Sequence, residues 1–221
     1  MSQFYDLDDV LQHFGVKGMK WGIRKKDDSK GRQSKLDDTD IVIKKGTDIH
    51  RLVPEKWLEK EKGLKGHAYA SYKPEDVQQY RDFAKLFGGG ANYVDMNFKV
   101  TKDMVSPSAK KRVDEFVKLM DSDPKARDAM IKATRNPLTF MPKKHLDKLD
   151  NPKTAEKAYR KFAYLLVSKR DLRDPYFKNL EKKGYSMVLD DGDIQGGISK
   201  APIIVFDRNK SMKLKSTEIV K

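Results

Sequence analysis

The sequence predicts an α+β protein, a mixed, split β-sheet with flanking helices, preceded by a separate N-terminal segment. Three observations predict it. Short runs at Ile41–Ile43, Asp48–Val53, Tyr93–Val100 and Pro202–Phe206 alternate or concentrate apolar residues as strands do. Val113, Phe116, Val117 and Met120, and later Tyr159, Phe162, Ala163 and Leu166, recur at helical spacing. Between Lys25 and Asp40 large apolar groups almost vanish, so that run cannot support burial and reads as a flexible linker.

Taken in order, Phe4, Leu7, Leu11 and Phe14 give a short amphipathic helix leading into a glycine-rich segment, His13 to Arg24. After the linker, Ile41–Ile43 and Asp48–Val53 are strands around a turn at Lys45-Gly46, and Pro54 to Lys60 suits a short helix. His67–Tyr72 is another strand. Pro74 opens a helix with Val77, Tyr80, Phe83, Ala84 and Phe87 on one face, and Gly88–Gly90 stops it. A strand at Tyr93–Val100 precedes the helical middle. Gly184–Leu189 returns to extended chain, Asp190–Gly197 reads as an acidic, glycine-rich loop, and Pro202–Phe206 is a final buried strand. The folded body is thus expected over 41–212, with 213–221 as a tail; no internal repeat is visible.

At 221 residues the chain is long enough to bury one real core. A charged fraction of 36% and a mean hydropathy of −0.78 imply a solvated surface. No apolar run approaches the roughly 20 residues that span a bilayer, and Met1–Asp6 lacks a signal-peptide core, so no membrane partner is expected. With no cysteine, and with His13, His50, His67 and His145 scattered, no metal is expected either. The net charge of +14 points to a polyanionic partner, nucleic acid or an acidic protein surface. Residues 101–184 hold 22 Lys and Arg against 12 Asp and Glu, whereas the first forty residues carry eight of each sign. The basic excess therefore lies on helices, and because no stretch there interleaves aromatics with Arg and Gly as a nucleic-acid module would, it reads as a solvated face before a nucleic-acid surface.

The segment His13-Phe14-Gly15-Val16-Lys17-Gly18-Met19-Lys20-Trp21-Gly22-Ile23-Arg24 fits neither an ordinary helix nor a strand. Its glycines permit a turn or a close approach, and Trp21 supplies a large anchor among cations. It resembles the HxGxKGxKWGxR element found near one end of many tailed-bacteriophage proteins, often head- or virion-associated ones. That resemblance implies docking onto a capsid or other virion protein through His13, Gly15, Gly18, Trp21, Gly22 and Arg24, with a location in the virion, the host cytoplasm or both.

The order Gly46-Thr47-Asp48-Ile49-His50-Arg51, Tyr69-Ala70-Ser71-Tyr72, Tyr80 on a helix, then Gly184-Tyr185 through Phe206-Asp207 resembles the ADP-ribosyltransferase fold. The resemblance implies NAD as the bound cofactor. Arg51 would grip the pyrophosphate, Ser71 would brace the site, and Tyr69 or Tyr80 would stack on the nicotinamide ring; core packing of both tyrosines fits the sequence equally. Active members carry a glutamate on or just before the late strand, and this chain has none between Glu181 and Glu218. Asp193 is the nearest carboxylate and the expected third catalytic residue, with Gln195 beside it, and an aspartate is one methylene short. Asp190, Asp191 and Asp193 lack the spacing and terminal glutamate of a calcium loop. The chain also lacks a nucleophile elbow, a Gly-Lys-Ser phosphate loop and HExxH. Two binding-only roles stay open: a non-catalytic head component that holds genome or acidic capsid surface, and a host-directed inhibitor.

Overall fold

The computed structural model describes residues 36–63, 66–87, 92–134, 146–196 and 199–220. The expected N-terminal helix, the docking residues His13, Gly15, Gly18, Trp21, Gly22 and Arg24, the linker up to residue 35, the Gly88–Gly90 stop and the Gln195 side chain lie outside the described residues.

The strands are β1 (Ile41–Ile43), β2 (Asp48–Pro54), β3 (Ala68–Ser71), β4 (Tyr93–Val100), β5 (Met104–Ser106), β6 (Met187–Leu189), β7 (Pro202–Val205) and β8 (Met212–Val220). After β2 a 3-10 turn, Glu55–Trp57, leads into α1 (Leu58–Gly63), and α2 (Pro74–Phe87) follows β3. The helical middle comprises α3 (Ala109–Ser122), α4 (Pro124–Thr134), α5 (Pro152–Ser168) and α6 (Arg170–Lys182). Two short helices complete it, α7 (Asp191–Gly196) before β7 and α8 (Arg208–Ser211) after it. The protein is a mixed α+β structure with antiparallel sheets: six strands in the order β6-β7-β3-β2-β4-β8, and the pair β1-β5.

Because side chains alternate along a strand, the large sheet has two faces with different partners. Ile49, Val53, Val94, Met96, Phe98, Ile203 and Val205 face a core shared with Ile43 of β1 and Met104 of β5. The other face presents Tyr69, Val188 and Ile204 to the larger core, built by Phe116, Leu119, Tyr159, Phe162, Leu166 and Tyr176 of the helices. Caps fix where the helices begin. Ser108 Oγ accepts from the Lys111 N–H at the start of α3, and Asn151 Oδ1 accepts from Lys153 and Thr154 at the start of α5.

Three stretches differ from the sequence reading. Residues 36–40, assigned to the linker, belong to the body: the Asp37 carbonyl accepts from the Lys110 N–H, and Asp40 accepts from the Ser108 N–H and pairs with Lys111 at 2.9 Å. Their acidity serves the N-terminal turn of α3, where anions are favoured. Residues 213–220, assigned to a tail, form most of β8, which pairs with β4 from Val100↔Met212 to Tyr93↔Val220. As an edge strand β8 exposes most of its side chains; Met212 and Leu214 turn to the core, but from Lys215 to Glu218 polar residues replace the apolar alternation that marks a strand in sequence. The acidic loop is helical: Asp190 Oδ1 accepts from the Gly192 and Asp193 N–H groups at 3.1 and 3.2 Å, the capping geometry that starts α7.

Candidate functional site

Strand parity decides which residues reach the mouth of the sheet between β2, β3, α2 and α7. On β2, His50 lies opposite Ser71 of β3 and Asn97 of β4, whereas Arg51 lies opposite buried Met96 on the other face. A cavity of about 110 Å³ opens on the His50 side, and all five predicted residues, Arg51, Tyr69, Ser71, Tyr80 and Asp193, border it. They come from four separated elements. The cavity is small beside the roughly 300–1,000 Å³ of sites that enclose whole ligands, so it fits one aromatic ring and not a dinucleotide.

Their side chains are differently committed. Arg51, expected to grip a pyrophosphate, spends its guanidinium elsewhere: Nε and Nη2 donate to the two Glu61 oxygens at 3.1 Å, and Nη1 donates to the Tyr69 carbonyl at 3.1 Å. Arg208 Nη1 donates to Glu61 at 3.3 Å as well. Burial works against the Glu61 charge, but Arg51 and Arg208 hold its pKa below the usual range. The reason is parity, since Arg51 shares the buried face of β2 with Ile49 and Val53 and requires a buried counter-ion there. Tyr69 borders the cavity but anchors its hydroxyl on the Val167 carbonyl at 3.1 Å, near the end of α5. It joins the larger core, as core packing would have it.

Ser71 is buried and lines the wall. Asp193, 4% exposed on α7, accepts a hydrogen bond from the Tyr80 hydroxyl of α2 through Oδ2, while Oδ1 is buried without a partner among the described residues. Burial first, with Asp76 adding to it, pushes the Asp193 carboxyl up to about 6 against the pull of Tyr80. Asp190, fully buried, is pushed up to about 7 by burial and the nearby Asp193 charge. Burial and the charge of Asp193 raise the Tyr80 phenol. This corner is therefore a buried, acidic wall.

Sequence reasoning missed His50. Its Nδ1 contacts both oxygens of Asp95 at 3.0 and 3.2 Å, and Arg81 of α2 donates to Asp95 at 2.7 Å. Burial would raise Asp95, 2% exposed, yet the His50 and Arg81 hydrogen bonds hold its pKa below the usual range. Asp95 thereby orients the imidazole at the cavity edge, leaving Nε2 without a hydrogen-bond partner among the described residues. Alternation was the available signal, for an apolar Ile49 and Val53 turned inward put His50 outward. Glu218 does not supply the missing carboxylate, because it stands 71% exposed on β8, paired with Arg81 at 3.2 Å and not bordering the cavity.

The position of α7 depends on one glycine. A Cβ on Gly192 would stand 2.9 Å from the Tyr164 Cα and 3.2 Å from its N, backbone atoms of α5 that cannot swing aside. Asp191 fastens the same helix to Arg112 and Tyr159.

Among the described residues no cluster of His, Cys, Asp and Glu could hold a metal ion, and no helix is long and apolar enough to cross a membrane. Residues 5–28 match the model of a family of unknown function (DUF7211). No curated protein and no solved structure matches the chain.

Proposed function

We propose that this chain is a bacteriophage virion-associated protein whose body is an ADP-ribosyltransferase-like domain, taking the nicotinamide end of NAD in the His50–Ser71–Tyr80–Asp193 cavity. In this reading residues 1–24 dock the body on the particle. One observation carries the body's part: side chains from β2, β3, α2 and α7 converge on a ring-sized cavity, and its buried carboxylate retains an unpartnered oxygen. A separate family model over residues 5–28 supports a front segment that acts as its own unit.

The residues present fit a nicotinamide ring better than they fit the whole dinucleotide. Tyr80 and Ser71 would flank the ring; Arg51 is not available for the pyrophosphate, which would lie outside the cavity. NAD supplies a glycosidic bond whose cleavage builds positive charge on the ribose, and a fixed carboxylate stabilises that charge. Asp193 is the carboxylate at hand, and His50, oriented by Asp95, is the group placed to hold or move a proton at Nε2. The shorter aspartate favours slow turnover, and at the limit binding without turnover.

Purified protein incubated with NAD is expected to release nicotinamide, with His50→Ala and Asp193→Asn each slower by at least about tenfold. Absence of both release and NAD binding in the intact protein overturns the reading of the body; binding without release supports the non-catalytic reading. For the front segment, a chain lacking residues 1–24 is expected to fold and to be missing from purified virions. Incorporation at the level of the full chain overturns the docking reading.

A further inference from the structure

The solvent face of α5 is chemically unlike the rest of that helix. At 100° per residue Lys153, Lys157, Arg160 and Tyr164 fall in one narrow stripe with Lys161 at its flank, while Ala155, Ala158, Phe162, Leu165 and Leu166 face the core. Lys153, Lys157 and Arg160 are exposed, Tyr164 is 40% exposed, and Glu156 pairs with Arg160 at 2.8 Å. The stripe runs about 16 Å at the helical rise. Its far end abuts α7, since the Tyr164 backbone is what a Gly192 side chain would strike. Asp193 follows Gly192, so the stripe ends beside the cavity wall.

We propose that this face of α5 binds single-stranded nucleic acid, its phosphates on the lysine and arginine row and one base stacked on Tyr164. Charge complementarity selects a polyanion, and the exposed aromatic at the end of the row selects one with unpaired rings. A duplex fits poorly. A helix reads a major groove by entering it, and α5 is packed against α3, α4, α6 and α7 with one narrow face outward. The inference does not depend on what occupies the cavity. In sequence the signal was hidden, because Tyr164 joins the cations through helical spacing and not through an interleaved motif.

Fluorescence anisotropy of a labelled oligothymidylate of about 20 nucleotides with the full chain, across a salt series, tests it. Three or four phosphate contacts predict a log–log salt slope of about −2 to −3. The Lys153→Glu/Lys157→Glu variant, altered only at exposed positions, is expected to bind at least about tenfold more weakly with a slope shallower by about 1.4. Tyr164→Ala is expected to weaken binding about tenfold with the slope unchanged. Unchanged affinity in the lysine variant overturns the proposal. So do competition by polyglutamate as effective as by oligonucleotide, and tighter binding of a duplex of the same length.

Discussion

Replacing Arg112 by alanine is expected to remove about 3–5 kcal/mol of stability, read as a lower urea midpoint, because it strands a partly buried carboxylate. Arg112 is 5% exposed. Its Nε and Nη2 grip Asp191 at 2.8 and 3.1 Å, its Nη1 donates to the Pro107 carbonyl at 2.7 Å, and Tyr159 donates to the same Asp191 at 2.6 Å. Removing one partner of such a pair leaves the other charge uncompensated, which costs far more than the intact pair contributes. A cycle separates the two. Asp191→Leu combined with Arg112→Met should cost well under the sum of the single changes, with a coupling of about 2 kcal/mol or more. The effect should reach the cavity, for Asp191 is two residues from Asp193 on α7; NAD binding in Arg112→Ala should weaken along with stability. A loss below about 1 kcal/mol would show that packing alone holds α7 in place.

The same residue illustrates what sequence could and could not reveal. In Lys110-Lys111-Arg112 the arginine looks like one more charge on a solvated basic face, and only the helix rotation that buries Val113 and Phe116 turns Arg112 inward beside them. Glu61 was hidden in the same way within Glu59-Lys60-Glu61-Lys62. Strands β2 and β4 and helices α2, α3 and α5 were legible, since each carries its own period, and β7 was legible as a continuous apolar run. Strand β5 is three residues long, β8 turns Met212 and Leu214 to the core and is polar from Lys215 to Glu218, and α6 contains Pro175, a residue that argues against a helix interior. For the site, Ser71, Tyr80 and Asp193 were legible as neighbours, but the choice between His50 and Arg51 required parity. Two apolar residues at Ile49 and Val53 already assign Arg51 to the inner face, and a guanidinium there needs the carboxylate that α1 brings.

Lowering the pH from 8 toward 5 is expected to stabilise this protein, opposite to the behaviour of a chain dominated by ion-paired carboxylates. Asp193 is raised by burial to about 6 and Asp190 by burial to about 7, both above the unfolded value of 3.8. Between the unfolded and folded values the native state binds more protons than the unfolded chain, so stability falls as pH rises through that window. For Asp193 a shift of about two units corresponds to about 3 kcal/mol. The depressed groups act elsewhere: Asp95 and Glu61 contribute above their unfolded values, and that contribution is lost only as pH falls through lower folded values. Asp193→Asn should therefore flatten the stability profile between pH 4.5 and 6 by about three-quarters of a proton, about 1 kcal/mol per pH unit. An unaltered slope would mean that Asp193 is not the group being titrated. The same ionisation has the reverse sign for chemistry, because only the carboxylate form of Asp193 can face a developing positive charge. Nicotinamide release should then rise with pH through about 6 just where stability declines. A purely structural carboxyl, titrating in the same corner, would move the stability curve and leave turnover flat.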